Sequence, residues 1–327
     1  MFVSVILPFY NCEVTIERCL RSLFDQDYSD FEIIAVNDCS TDNTVRIINN
    51  LISTYPDEIS SKLRIICHDE NKGSGAARTT GMRAAKGKYL IQVDGDDYVH
   101  PHYLSRMVEA TKGDADIVIC QVVRVMKNGQ SVICDDCVDV NEELICKLLE
   151  GTNSSGLWNK LIKTSIVREH DIYPYEGLSL YDDLSVSYRA VYFSKLINYV
   201  KTPLYFLDRT SEDSLTYSYN ESVVASLVNL RELMRTFSNQ NGWNDNLCHA
   251  MRMFFAELSG YMVRSLPSSK LSSYRSSYMP GIQSLYYVWK HPHMGVYAKM
   301  SLMLTRWRMY PLVALLKSFY RFSRALK

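Results

Sequence analysis

Between residues 258 and 327 there is no Asp or Glu at all, against eleven Lys and Arg. The whole chain has a formal net charge of zero, so the remainder carries an equal negative excess, which points the tail alone toward an anionic partner. Long hydrophobic runs are missing as well, because nothing approaches the ~18 consecutive apolar residues of a membrane span. No charged, apolar leader precedes the first strand-like run at Phe2-Val3-Ser4-Val5-Ile6-Leu7, so a cytosolic rather than a secreted protein is expected. Nine cysteines, an odd number at scattered spacings, argue against a disulfide framework and for a reducing compartment. Cys134-Asp135-Asp136-Cys137 lacks the further ligands of a zinc site. The G-x-x-x-x-G-K-[ST] spacing of a Walker loop is absent, and no histidine has two partners with which to form a metal or catalytic cluster.

What is present is an ordinary globular composition of 47% apolar and 22% charged residues over 327 positions, enough for one large domain or two small ones. Its organising stretch is residues 88–98, where the apolar run Tyr89-Leu90-Ile91-Gln92-Val93 feeds into Asp94-Gly95-Asp96-Asp97. A buried strand delivers acids to a sheet edge in this way. Three carboxylates so close repel one another unless a hard divalent cation sits among them, and Gly95 would let the backbone approach a ligand. Taken alone, those four residues also suit a merely acidic loop.

Three further strands read in the same manner. Residues 2–7 close at Pro8, with Phe9-Tyr10-Asn11 turning into an amphipathic helix through Ile16, Cys19, Leu20, Leu23 and Phe24. Residues 31–36 run into Asn37-Asp38-Cys39-Ser40-Thr41-Asp42, where one hydroxyl or acid caps the next helix and Asp38 is left spare. Residues 63–67 lead to a glycine-rich helix entry carrying Lys72 and Arg78, which suits an anion. Strands alternating with helices predict an α/β fold, a parallel sheet covered on both faces, whose carboxyl ends collect Pro8, Asp38, His68-Asp69 and Asp94-Gly95-Asp96 in one crevice.

Residues 3–11, 36–42, 71–78 and 94–97, taken in order, resemble the motifs of family 2 glycosyltransferases of the GT-A fold, as found in bacterial surface-polysaccharide synthesis. The resemblance covers roughly residues 1 to 215, with Asn37 and Cys39 standing where the family usually has Asp and Gly. It implies a mostly parallel sheet flanked by helices, followed by a helical C-terminal region. It implies Asp38 on the nucleotide base, Arg78 with Lys72 near the diphosphate, Asp94 near the ribose, and Asp96 on Mg2+ or Mn2+. Pro8, Tyr10 and Gly95 would border the nucleotide, which is expected to belong to a UDP-sugar.

Farther on, Trp158 and Lys160 stand where the family lines its donor and acceptor pocket, although Trp158 suits a core aromatic equally well. Asp182-Asp183 opens a helix, ordinarily a dipole partner or cap. The family's acid pair stands at this place, which makes Asp183 the expected general base and Asp182 its alternative, in a single inverting displacement. Asp97 is a further pocket candidate, and the polar segment 209–216 suits a flap over the donor. The expected domains are 1–217, divided into a nucleotide-sugar half (1–98) and an acceptor half (99–217), and a helical region 218–327.

The basic tail, with Trp307, Leu312, Leu315 and Phe319 among its arginines and lysines, suits either an anionic membrane surface or packing on the catalytic domain. A peripheral enzyme on the cytoplasmic face of the membrane is therefore expected. It would act on a saccharide or lipid-linked saccharide and bind no nucleic acid, with its oligomeric state left open. The competing readings are a sugar nucleotidyltransferase, which should carry a glycine-rich basic signature in place of Pro8-Phe9-Tyr10-Asn11, and a non-catalytic nucleotide-sugar-binding protein of the same fold.

Overall fold

The computed structural model describes residues 2–127, 129–133, 135–210, 221–279, 282, 285–292 and 294–325. The chain divides into two compact units, residues 1–148 with 152–214 and residues 149–151 with 215–327.

The first unit begins with β1 (Val3–Phe9), α1 (Ile16–Phe24), β2 (Phe31–Asn37), α2 (Thr44–Ile52), α3 (Asp57–Ser60), β3 (Leu63–Cys67), α4 (Ser74–Ala84) and β4 (Tyr89–Gln92). It continues through β5 (Tyr98–Val99), α5 (Tyr103–Glu109), β6 (Ile117–Met126), β7 (Gly129–Ile133), α6 (Asn141–Glu150), β8 (Lys160–Lys163), α7 (Thr164–Glu169), α8 (Asp182–Phe193) and β9 (Ile197–Asp208). The strands form one sheet in the order β3-β2-β1-β4-β8-β6-β9-β5, with β7 paired on β6. β1 and β2 are buried along their whole length, as strands covered on both faces must be, and their continuous apolar runs reflect it. Their neighbours β3 and β4 pair in parallel, so four strand tips point the same way, as the alternating strand and helix pattern predicts.

Beyond β4 the pairing changes. β8 runs antiparallel to β4 and to β6, β5 runs antiparallel to β9, and only β6 and β9 pair in parallel. β9 is one strand with a bulge, because it shifts register opposite Cys120–Val122 and Pro203 cannot donate to the ladder.

The helices that matter to the crevice are seated by particular residues. α1 buries Ile16, Cys19, Leu20, Leu23 and Phe24 at helical spacing. α4 lies close on β1 because residue 81 is glycine, where a Cβ would come within 2.4 Å of Ile6 Cγ2. Of the expected flap, only Arg209 and Thr210 are among the described residues.

In the second unit, α9 (Glu221–Gln240) and α10 (Asp245–Ser265) are followed by α11 (Arg275–Tyr278), α12 (Leu285–Lys290), α13 (Val296–Arg306) and α14 (Tyr310–Ala325). α10 starts at a side-chain cap, Asn244 Oδ1 accepting from Leu247 N at 3.1 Å, and buries Met251, Phe254, Phe255, Leu258 and Met262. It packs against α9, α11, α12 and α13 and so forms the core of this unit. No helix among the described residues is long and apolar enough to cross a membrane.

Candidate active site

The strand tips are stitched together by the protein's own hydrogen bonds. Asp38 N donates to Phe9 O at 3.0 Å, and Asn11 Oδ1 accepts from Thr41 N at 2.8 Å, which joins the turns after β1 and β2. Cys39 holds φ at +64°, a left-handed conformation that glycine adopts without strain. The glycine that the resemblance leads one to expect here would adopt it at no such cost. Asp42 accepts from both Thr44 N and Thr44 Oγ1 and so turns the chain into α2. Pro8 lies within buried β1, while Tyr10 is 45% exposed just beyond it.

Asp38 is almost wholly buried and does more than wait for a base. Its Oδ1 accepts from Lys72 N (2.9 Å) and stands 2.7 Å from His68 Nδ1, and its Oδ2 accepts from Gly73 N (2.8 Å). Asp38 thereby fixes the turn that starts α4, leaving capacity on Oδ2 for one further donor. Lys72, whose amide is held there, is itself exposed.

α4 carries this order to the second cluster. Arg78 Nε donates to Gln92 Oε1 (2.9 Å), one terminal nitrogen donates to Asp94 Oδ1 (2.9 Å), and the other makes a short hydrogen bond to Asp182 Oδ2. Ser74 Oγ also donates to Asp182 Oδ2, at 3.3 Å. The expected phosphate-facing arginine is therefore first a strut between β4, α4 and α8. Among the described residues each terminal nitrogen makes one such bond, which leaves a second N–H on each.

The acidic turn is gripped from below. Asp97 is 1% exposed, accepting from Tyr205 OH at 2.6 Å and from Asp208 N at 2.8 Å. Burial first, then Asp96 and Asp94, hold its carboxyl well above the ordinary carboxylate range. The pocket role expected of Asp97 is corrected on this ground: its side chain points into the protein and ties the turn to β9. Gly95 is buried as well, and a Cβ there would stand 3.0 Å from Phe9 Cβ and 3.3 Å from Cys12 Sγ. The missing side chain makes room for the protein itself. Thr15 Oγ1 holds Gly95 O at 2.9 Å, and Arg18 donates to Asp96 O at 3.0 Å while pairing with Asp208 at 2.7 Å.

Oxygen atoms of Asp94, Asp96 and Asp97 lie within 4.8 Å of one another. Asp97 is engaged on both oxygens and Asp94 Oδ1 on Arg78, while exposed Asp96 accepts from its own backbone N–H, which leaves Asp94 Oδ2 and the remaining capacity of Asp96 turned to solvent. An all-oxygen, doubly acidic set fits a hard divalent cation.

Asp182 and Asp183 are separated by environment. Asp182 is spent on Arg78 and Ser74, whereas Asp183 accepts Leu184 N at 2.7 Å and has no ion pair among the described residues. Burial and the neighbouring Asp182 push the Asp183 carboxyl up to about 6, with Arg78 acting in the opposite direction. Acceptor of one proton near neutrality is the chemical role such a group can fill.

Trp158 stacks on Tyr205 with ring centroids 5.1 Å apart, and Tyr103 OH donates to Trp158 O at 2.6 Å. The ring thus backs the tyrosine that holds Asp97. Lys160 is corrected: fully buried, its ammonium donates to Ser154 O (2.6 Å), Gly156 O (2.8 Å) and Asn159 Oδ1 (2.8 Å) instead of facing a crevice. Burial lowers it to about 8, and it serves to shape the loop before β8. Sequence reasoning missed Gln92, Tyr205 and Asp208 as site supports. A separate open groove of about 680 Å³, bordered by His100, His102, Arg106 and Asn198, contains none of the candidate residues.

Comparison with known proteins bears on this arrangement. Residues 4–133 match the model of the family described as glycosyl transferase family 2. EpsH of Bacillus subtilis (strain 168), which bears the name of a glycosyltransferase, is 31% identical over 246 residues, covering 73% of this chain and 70% of EpsH. The crystal structure of Staphylococcus aureus TarS 1–349 in complex with UDP-GlcNAc superposes with a TM-score of 0.65 at 19% identity, covering 99% of this chain and 92% of that one. The mannosyltransferase PcManGT of Pyrobaculum calidifontis, in complex with GDP-Man and Mn2+, does so with a TM-score of 0.51 at 15% identity, over 98% and 87% of the two chains. This chain, with its acid-tipped parallel strands and its extended match to EpsH, belongs to glycosyltransferase family 2 and has the GT-A-type fold.

Proposed function

We propose that the chain transfers a hexosyl group from a nucleoside-diphosphate sugar, a UDP-sugar, to a saccharide or lipid-linked saccharide acceptor with inversion at the anomeric carbon. The observation that carries this reading is the division of labour in the acid pair. Asp182 is locked to Arg78, and Asp183, raised to about 6, is left to take a proton. The UDP-GlcNAc held by TarS, a chain of the same fold, supports the choice of nucleotide.

In the proposed reaction Asp183 accepts the acceptor hydroxyl proton as that oxygen bonds to the anomeric carbon. The bond from that carbon to the diphosphate oxygen breaks in the same displacement, so the nucleoside diphosphate departs with the bonding electrons. Asp38 holds the 72–73 turn and offers its remaining Oδ2 capacity to the base. Tyr10 and Pro8 border the nucleotide, and Lys72 and the two spare N–H groups of Arg78 stand for the phosphates. Asp96 and Asp94 would hold Mg2+ or Mn2+, whose charge opposes the negative charge developing on the diphosphate. Trp158 shapes the acceptor side through its stack on Tyr205. The acceptor is carried at the cytoplasmic face of a membrane.

The test is a screen of nucleotide sugars for donor hydrolysis with and without divalent metal, using the intact chain, Asp96→Ala and Asp183→Asn. Metal-stimulated hydrolysis of one donor, lost in Asp96→Ala, is the expected result. Asp183→Asn should lower transfer by about 10²–10⁴ while donor binding is retained. Undiminished transfer by Asp183→Asn would overturn the assignment of the base. Nucleotide-sugar binding with no turnover under any metal would leave a binding protein.

A further inference from the structure

Helices facing water put lysine outside and phenylalanine inside. α14 does the reverse. Val313 and Lys317, one turn apart, are buried, the Lys317 ammonium donating to Leu266 O at 2.5 Å. On the other side Leu315 is 68% exposed and Phe319 72%, with Leu312 in the same stripe at positions i, i+3 and i+7. α13 repeats the pattern, exposing Val296 (70%) and Met300, and Trp307 (55%) follows on the same helical period just past its end. On α12 Tyr286 and Trp289, three residues apart, are both exposed, and the Trp289 carbonyl accepts from Lys299 Nζ at 2.8 Å. Three successive helices of one unit therefore each leave an apolar stripe in water.

The chemistry around these stripes selects their partner. From 258 to 327 every charged side chain is basic. The same helices of a second copy, meeting these face to face, would bring the same sign of charge to the contact, which opposes that self-association. Nucleic acid would satisfy the charge but would leave Val296, Met300, Leu315 and Phe319 unused, because its surface offers phosphates rather than hydrocarbon. An anionic bilayer surface answers both features, with phosphate headgroups for lysine and arginine and acyl chains for the stripes, while tryptophan suits the boundary between them.

We propose that α12, α13 and α14 form the face by which this chain docks on an anionic lipid surface, which deepens the membrane part of the reading above and rests on it for the acceptor. Sedimentation of the full chain with vesicles tests it, comparing phosphatidylcholine alone with phosphatidylcholine mixed with phosphatidylglycerol. The intact chain should bind the anionic vesicles more tightly than the neutral ones, and less tightly as salt rises. A Leu315→Ser, Phe319→Ser double variant should lose about tenfold or more in vesicle affinity, and Arg308→Ala about fivefold. Unchanged thermal melting of both shows that the fold survives. Donor hydrolysis in these variants should match the intact chain, so failure of lipid docking and failure of the proposed reaction can be told apart. Equal binding by the variants, no preference for anionic vesicles, or a dimer in lipid-free solution that the double variant abolishes would each overturn the proposal.

Discussion

The crevice edge of the first unit and the α12–α14 helices of the second handle charge in opposite ways. At the edge, acids and a guanidinium are drawn inward and paired, as Arg78 is with Asp94 and Asp182, and apolar side chains such as those of β1 are fully enclosed. On α13 and α14 an apolar stripe stands outside, and on α14 Lys317 is turned in. The difference teaches that burial alone does not report function. At the edge it removes water from charges, which strengthens their electrostatic interactions. On the helices, exposure keeps hydrocarbon available for a surface that is not water.

The comparison breaks most readily at its centre. Arg78→Met would leave the Asp94 and Asp182 carboxylates facing one another without a cation, at a cost of about 3–5 kcal/mol in urea unfolding. Transfer should fall with it. A variant that unfolds like the parent would show that the edge is not held by this residue. Leu315→Ser, by contrast, should leave the unfolding midpoint within ~0.5 kcal/mol of the parent, as expected for a side chain already in water.

A smaller effect sharpens the distinction within the acid pair. With Asp183 raised from 3.8 to about 6, transfer should decline as pH falls through 6, becoming about tenfold lower one unit below it. The linked stability runs the other way. The folded state binds this proton more tightly than the unfolded chain does, so Asp183 costs stability as pH rises from about 3.8 through about 6, and the cost is complete above that. Asp182→Asn removes the adjacent like charge and should move the acid limb of the rate profile downward. An unmoved limb would assign it to another group.

The smallest expected effect concerns Cys39. Replacing a non-glycine residue at φ +64° by glycine relieves strain but adds freedom to the unfolded chain, so Cys39→Gly should stabilise by at most about 1 kcal/mol. Destabilisation on chemical unfolding would mean that the contact of Cys39 Sγ with Asp69 O, at 3.7 Å, matters more than the backbone.

Much of this edge is legible in the order of residues alone. Apolar runs ending in Asp38 and in Asp94-Gly95-Asp96-Asp97 mark parallel strands and the end at which they meet a ligand, because strand period and burial are written in local residue types. α1, α5, α9 and α10 are equally plain from their spacing. The antiparallel half is not, since pairing between β8, β6 and β9 joins segments tens of residues apart whose local patterns also suit other registers.

The direction of individual side chains is the other hidden quantity. Asp96 and Asp97 are neighbours in an acidic turn, yet one is exposed and the other is held by Tyr205 and Asp208, over a hundred residues away. Lys160 has the composition of a pocket residue and the position of a loop brace. By itself the sequence determined the order of elements, the acidic strand tips and the basic, acid-free tail, because these follow from short-range periodicity and charge count. Only the tertiary structure decided which acid of the pair is tied to Arg78, which has no ion pair among the described residues, and which helical face stays apolar in water. Those outcomes depend on contacts between distant segments and on how completely each contact excludes solvent.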